Sequence, residues 1–271
     1  MLLRLLVCLF FFPAVASAAV IETNEWDNLT RPNWFYGGRP VEIDFGAAPP
    51  SGGGALKFRF GPGSQTESIS GGIARYALQQ NYQELYVGHW IKWSSNWLWH
   101  PVASKMDYFY SYPGSDGFGS NVLTAVYGNS TNTGGCRGGA LQTVQRIWSS
   151  GSYNMPQNGN PNFCPGQWYW VEWHLKMNTP GSANGIYEFW VNGVLISSVF
   201  DMAVAAPGAN GFWQDAQHSP EYGGGGSATL PVEQNIWVDH TVLSTTPIGV
   251  PGGPPPPDTT PPSPPTNFTV N

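Results

Sequence analysis

The sequence predicts an all-β protein, a jelly-roll β-sandwich of two antiparallel sheets. Three observations carry that expectation. Of 271 residues only 10% are charged and 14% are aromatic, a balance that argues against disorder, coiled coil and helical bundle. Thirty-four Gly and 25 Pro supply many turns between short elements. Apolar residues recur with period two in run after run, and no long segment carries a 3.6-residue period. Only short pieces near residues 73–81 leave a helical reading open.

From the N-terminus, residues 1–18 read as an export signal. Arg4 precedes an apolar stretch, which ends in Pro13 and the small residues Ala16, Ser17 and Ala18. The stretch is too short and wrongly flanked for a lasting membrane span, and no other segment approaches ~18 apolar residues. Cleavage after Ala18 removes Arg4 and Cys8, leaving 10 basic residues against 17 acidic ones, a net charge of −7. A broad basic surface for nucleic acid is excluded, and the mature chain is expected to be secreted, periplasmic or extracellular. Its two cysteines, Cys136 and Cys164, would most simply form one disulfide in an oxidising compartment, the alternative being two free thiols. A bridge closing that loop contributes about 3 kcal/mol by chain entropy.

Residues 19–246 form the predicted globular domain. Strand candidates are 85–93, 122–127, 168–177, 185–191, 194–199 and 235–243. Asn192-Gly193 between two of them is a type I′ hairpin signal. In the 168–177 run, Tyr169, Val171, Trp173, Leu175 and Met177 suit the core. The opposite face, Trp168, Trp170, Glu172, His174 and Lys176, is either a ligand groove or an ordinary outer face. Residues 247–265 are a Pro-rich linker of extended, polyproline-like character, and 266–271 come after it.

The run from Gly166 to Ile196, with the segments ELYVGHWIKWS and IWVDHTVLS, resembles the strands of concanavalin A-like lectin/glucanase jelly rolls. The Asn-Thr-Pro-Gly turn at 178–181 and the strand containing Lys105 resemble secreted polysaccharide lyases. The segment from Asp258 resembles the opening of a fibronectin type III module. These resemblances imply a polysaccharide partner and leave the activity open, because the superfamily holds lectins, hydrolases, lyases and adhesion modules.

Glycoside hydrolysis needs two carboxylates about 5–9 Å apart. Glu25/Asp27 and Glu42/Asp44 each share a strand face, but neither pair continues to a third acid, since Thr30 and Ala47 stand where it would fall. Elimination from a uronate needs a group that neutralises the carboxylate, a base for the C5 proton and an acid for the leaving oxygen. A Tyr can serve where a cation draws its pKa down from ~10. Lys105, Tyr108, Tyr110 and Tyr112 are candidates, with His174 and His89 as other bases and Arg59, Arg137 or Arg146 as carboxylate holders. On a regular strand Lys105 would face with Asp107 and Phe109, away from the tyrosines. Sugar stacking without chemistry would fall to Trp90, Trp93, Trp97, Trp99 and Trp170. A structural calcium, which the resemblance implies, would take Asp239 with Glu42 or Asp44. The leading expectation is a secreted polysaccharide-engaging domain with uronate lyase activity. The alternatives are a non-catalytic carbohydrate-binding or adhesion module and, behind it, a glycoside hydrolase.

Overall fold

The computed structural model describes residues 19–63, 71–111, 120–127, 135–138, 141–146, 161–223 and 230–253. The expectations for the export signal, Tyr112 and the fibronectin-like segment lie outside those residues.

The described residues are strands and turns with no helix. In order they are β1 (Val20–Asn24), β2 (Trp34–Gly37), β3 (Glu42–Asp44), β4 (Ala55–Phe60), β5 (Ile73–Tyr82), β6 (Glu84–Trp93), β7 (Ala103–Ser111) and β8 (Ser120–Tyr127). Next come β9 (Arg137–Gly138), β10 (Leu141–Arg146), β11 (Asn162–Phe163), β12 (Trp168–Lys176), β13 (Gly185–Val191), β14 (Val194–Met202), β15 (Trp213–Tyr222) and β16 (Gln234–Ser244). An eight-stranded sheet runs β14-β13-β12-β6-β16-β4-β3, with β1 also on β16. A six-stranded sheet runs β10-β8-β7-β15-β5-β2. Neighbouring strands in both sheets are antiparallel, as in a jelly-roll sandwich.

Alternation explains β12. Tyr169, Val171, Trp173 and Leu175 face the interior, at most 8% exposed, and Trp173 lies 5.5 Å from Phe109 of the other sheet. The Trp173 indole N–H donates to Thr124 Oγ1 at 2.8 Å, so a large buried ring keeps its polar handle satisfied. Asn192 and Gly193, both at positive φ (49° and 78°), make the turn between β13 and β14. The stretch at 73–81 is strand rather than helix, because Ala74 and Tyr76 point into the core while Arg75 points out. The disulfide joins Cys136 to Cys164 beside the β9–β11 ribbon.

Two irregularities reshape the middle of the six-stranded sheet. Between Lys105 and Tyr108, β7 gains one residue relative to β8. Between His218 and Glu221, β15 gains one relative to β7. Pro220, which has no N–H to give a ladder, sits in that second bulge. Together they turn Met106 and Asp107 both toward the interior and leave Lys105 and Tyr108 on the same outer face.

The linker expected from residue 247 begins as a packed strap. The N–H groups of Ile248 and Gly249 each donate to the Glu172 carboxylate at 2.9 Å, on the outer side of the eight-stranded sheet.

Candidate functional site

The outer face of the six-stranded sheet carries a cluster of ionisable groups. Lys105 and Glu221 are directly opposed across β7 and β15. The Lys105 ammonium meets Glu221 Oε2 at 2.5 Å, and the Tyr108 hydroxyl donates to Glu221 Oε1 at 2.7 Å. Tyr110 stacks on Tyr108, with ring centroids 5.9 Å apart and planes 9° from parallel. Lys105, Tyr108 and Tyr110 therefore do assemble, although period-two parity separates them. The bulge supplies the missing residue. Glu221, which holds the cluster together, escaped sequence reasoning; Pro220 inside an otherwise strand-like run was the available signal.

The same face extends across the sheet. Tyr108 pairs in register with Gln217, Gln217 with Arg75, and Arg75 with Phe35. Arg75 Nε lies 2.8 Å from Asp215 Oδ2, and Gln217 Nε2 donates to Asp215 Oδ1 at 3.1 Å. Toward β10, the register sets Arg146 opposite Asn121, which pairs with Tyr110.

Directly beneath lies a closed polar core. Asp107 is bonded by His218 Nδ1 at 2.6 Å and His89 Nε2 at 3.1 Å, all three side chains buried. Burial alone would raise the Asp107 carboxyl, but the His89 charge and the His218 hydrogen bond hold it well below the usual range. Burial lowers His218, which also contacts Thr241 Oγ1 at 2.9 Å. His89 is thus enclosed between the sheets, which removes it as a base for an external substrate. These groups can form a compact metal-ligating set, yet each is already satisfied by the others.

Several other candidates lie elsewhere. His174 is on the outer face of the opposite sheet, clamped by Glu84 and Glu188, so it cannot share a substrate with Tyr108. Trp93, Trp97, Trp99 and Trp170 are at most 1% exposed and offer no ring face to a sugar. Trp93, Trp97 and Trp99 are core residues, because their large apolar area packs between elements, whereas Trp170 is covered on the outer side of β12. Trp90 is partly exposed and lines a cavity of about 440 Å3 with Glu25, Asp27, Ser51, His240 and Pro251, again on the eight-stranded sheet. Arg59 pairs with Glu42 and Glu233.

That cavity bears on calcium. Asp239 is fully buried; its Oδ2 contacts Ser51 Oγ, and its Oδ1 has no hydrogen-bond partner among the described residues. Burial pushes its carboxyl up to about 6. Glu25 is adjacent, paired with His240 Nδ1 at 2.7 Å, and Asp27 accepts from Gly54 N at 3.2 Å. An orphaned buried carboxylate oxygen is a hard donor of the kind Ca²⁺ takes, although among the described residues the acids here do not gather within ligating distance as His89, Asp107 and His218 do. Asp44 does not join it, because Trp237 Nε1 (2.9 Å), Gly46 N (2.8 Å) and Lys57 engage its carboxylate; Glu42 likewise pairs with Lys57.

The chain is thus a jelly-roll sandwich whose six-stranded sheet carries Lys105, Tyr108 and Glu221 together, and its fold is shared with several solved structures. The chain is similar to a marine alginate lyase from Aplysia kurodai (10% identity, TM-score 0.62, 83% of this chain and 99% of that one). It is also similar to an alginate lyase from Chlorella virus (13%, 0.60, 84% and 100%). A third similar structure is an endo-β-1,4-glucuronan lyase from the fungus Trichoderma reesei (14%, 0.56, 84% and 96%). No family model and no curated protein matches the sequence.

Proposed function

We propose that this is an exported polysaccharide lyase domain that cleaves uronate-containing chains by β-elimination at Lys105, Tyr108 and Glu221. The observation that carries the reading is the phenol of Tyr108, hydrogen-bonded to a carboxylate that Lys105 also holds. The fold likeness to alginate and glucuronan lyases supports the substrate class.

In the proposed step, the C5 proton of the uronate passes to the Tyr108 oxygen as the phenolic proton passes to Glu221. The C5–H electron pair becomes the C4–C5 double bond as the C4–O4 bond breaks. The proton then returns through Tyr108 to the departing O4. Lys105 offsets the negative charge of the substrate carboxylate during the transfer. Calcium, held by Asp239 with Ser51 and Glu25, would brace the N-terminal loop against β16, remote from the reacting atoms.

The product tests this. Elimination leaves an unsaturated uronate that absorbs in the ultraviolet, and hydrolysis does not. Tyr108→Phe is expected to lower turnover about 10²–10⁴-fold with little change in binding, and Lys105→Ala to slow it as well. Binding to alginate, glucuronan, pectate or glycosaminoglycans with no absorbing product would instead favour a carbohydrate-binding module. Absence of binding to any of them would defeat both.

A further inference from the structure

We infer that Phe35 and Arg75, with buried Gln217 and Asp215 beneath them, form a binding track for the uronate units of an extended acidic chain, running from Tyr108 toward the edge strand β2. The inference rests on the proposed function for the identity of the chain and adds its direction and the residues that read its charge.

Four residues on four adjacent strands stand in one row: Phe35 on β2, Arg75 on β5, Gln217 on β15 and Tyr108 on β7. With strands about 4.8 Å apart, Arg75 is roughly 10 Å from Tyr108 along the row, and Phe35 about one strand further. An extended 1,4-linked sugar advances by about one strand width per unit. Arg75 thus falls opposite a carboxylate roughly two units from the bond being cleaved, and Phe35 under the next ring.

The row is built as a receptor. Asp215 is wholly buried, and its carboxylate fixes Arg75 through Nε while Gln217 holds its other oxygen. A buried carboxylate beneath a guanidinium costs desolvation energy, so the pair is poor as a purely stabilising device. It does orient the guanidinium, whose side chain is 41% exposed beside Phe35. Phe35 is 58% exposed, with the Arg75 guanidinium carbon 6.0 Å from its ring centre. An exposed aromatic face beside a charged group matches a uronate, which has an apolar ring face and one anionic substituent.

The test compares saturated oligoglucuronates of short and long chain with their carboxyl-reduced, neutral counterparts. The wild type is expected to bind the long acidic oligomer at least tenfold more tightly than the neutral one. In Arg75→Gln that preference collapses, while neutral binding is unchanged; Arg75→Lys keeps part of it. Phe35→Ala weakens both long ligands severalfold and leaves the short one alone. Melting curves for each variant establish that it is folded, and Arg75→Lys retains a cation for Asp215 should Arg75→Gln unfold. Variants that discriminate acidic from neutral chains as the wild type does would overturn the track and leave the lyase reading standing. Retained discrimination by Arg75 without any ultraviolet-absorbing product would sink the elimination chemistry and sustain the track. Failure of the wild type to bind any oligouronate would remove both.

Discussion

His174 sits between two carboxylates, with Glu188 Oε2 2.6 Å from Nδ1 and Glu84 Oε1 2.7 Å from Nε2. Its ring lies flat on Tyr86, centroids 4.3 Å apart. Burial alone favours the neutral ring, yet the hydrogen bonds that its two N–H groups donate to Glu188 and Glu84 outweigh it and raise the imidazole above its ordinary value. The same pairing holds Glu84 below the usual carboxylate range, while burial and the nearby acids push the Tyr86 phenol up. Lys176 completes the set, 3.5 Å from Glu84. A raised histidine stabilises the fold fully below its unfolded value of ~6.5, and that stability is lost as pH rises through the folded value. His174→Gln is therefore expected to lower the melting temperature at pH 6 and to converge on the wild type toward pH 9. A difference that stays constant across that range would show that packing on Tyr86, and not charge, is what His174 contributes. His174 has the residue type of a catalytic base, but two acids already bind both of its nitrogens.

At the scale of elements, bulges decide where chemistry is placed. In β16 the register slips between Asp239 and Val242, where β4 gives way to β1 as its neighbour, and His240 takes a φ of 47°. That slip sets Asp239 against Ser51 beside Glu25. If calcium occupies this place, it ties β16 to two N-terminal loops, and a ligand bound only by the folded state stabilises it. Metal-free protein should melt several degrees lower in chelator than in millimolar calcium, and Asp239→Asn should abolish the difference. Identical curves for the wild type would dispose of the site. Strands themselves were legible from alternation: 85–93 became Glu84–Trp93, 168–177 became Trp168–Lys176, and the Asn-Gly turn fell where expected. Bulges were not, because parity assumes one residue per step. One extra residue at Met106–Asp107 moved Lys105 to the face of Tyr108. Glu221, Arg75 and Asp215 could not be joined to that face without the pairing of β5, β7 and β15, which no local pattern contains. The tryptophans misled for a related reason. Density of aromatic residues signals burial as readily as stacking, and only the register tells which side each ring faces.

For the whole molecule, the two outer faces are made unlike by the C-terminal strap. On the eight-stranded sheet, Ile248 and Gly249 bond Glu172, Val250 packs on the Gly193 turn, and Pro251 lines the cavity beside Trp90. Glu172 and Trp170 are accordingly buried, although both lie on the side of β12 away from the core. The strap covers the Glu172 and Trp170 part of that face. The six-stranded face instead presents Lys105, Arg75 and Phe35, with Tyr108 8% exposed beside Lys105. Two backbone N–H groups donating to one carboxylate are each worth about 1.5–3 kcal/mol as hydrogen bonds to a charged group. Ending the chain after Thr246 removes both and leaves Glu172 without them, whereas ending it after Gly253 keeps them. The first truncation is expected to unfold at markedly lower denaturant concentration than the second, with the second matching the chain that continues to Asn271. Glu172→Gln in the full chain should show a smaller loss, since the amide oxygen still accepts a hydrogen bond. Oligouronate binding should survive in the shorter form at temperatures where it stays folded, because the track and the Lys–Tyr–Glu cluster lie across the sandwich from the strap. Loss of that binding on truncation after Thr246, in protein shown to be folded, would mean that the polysaccharide meets the eight-stranded face after all.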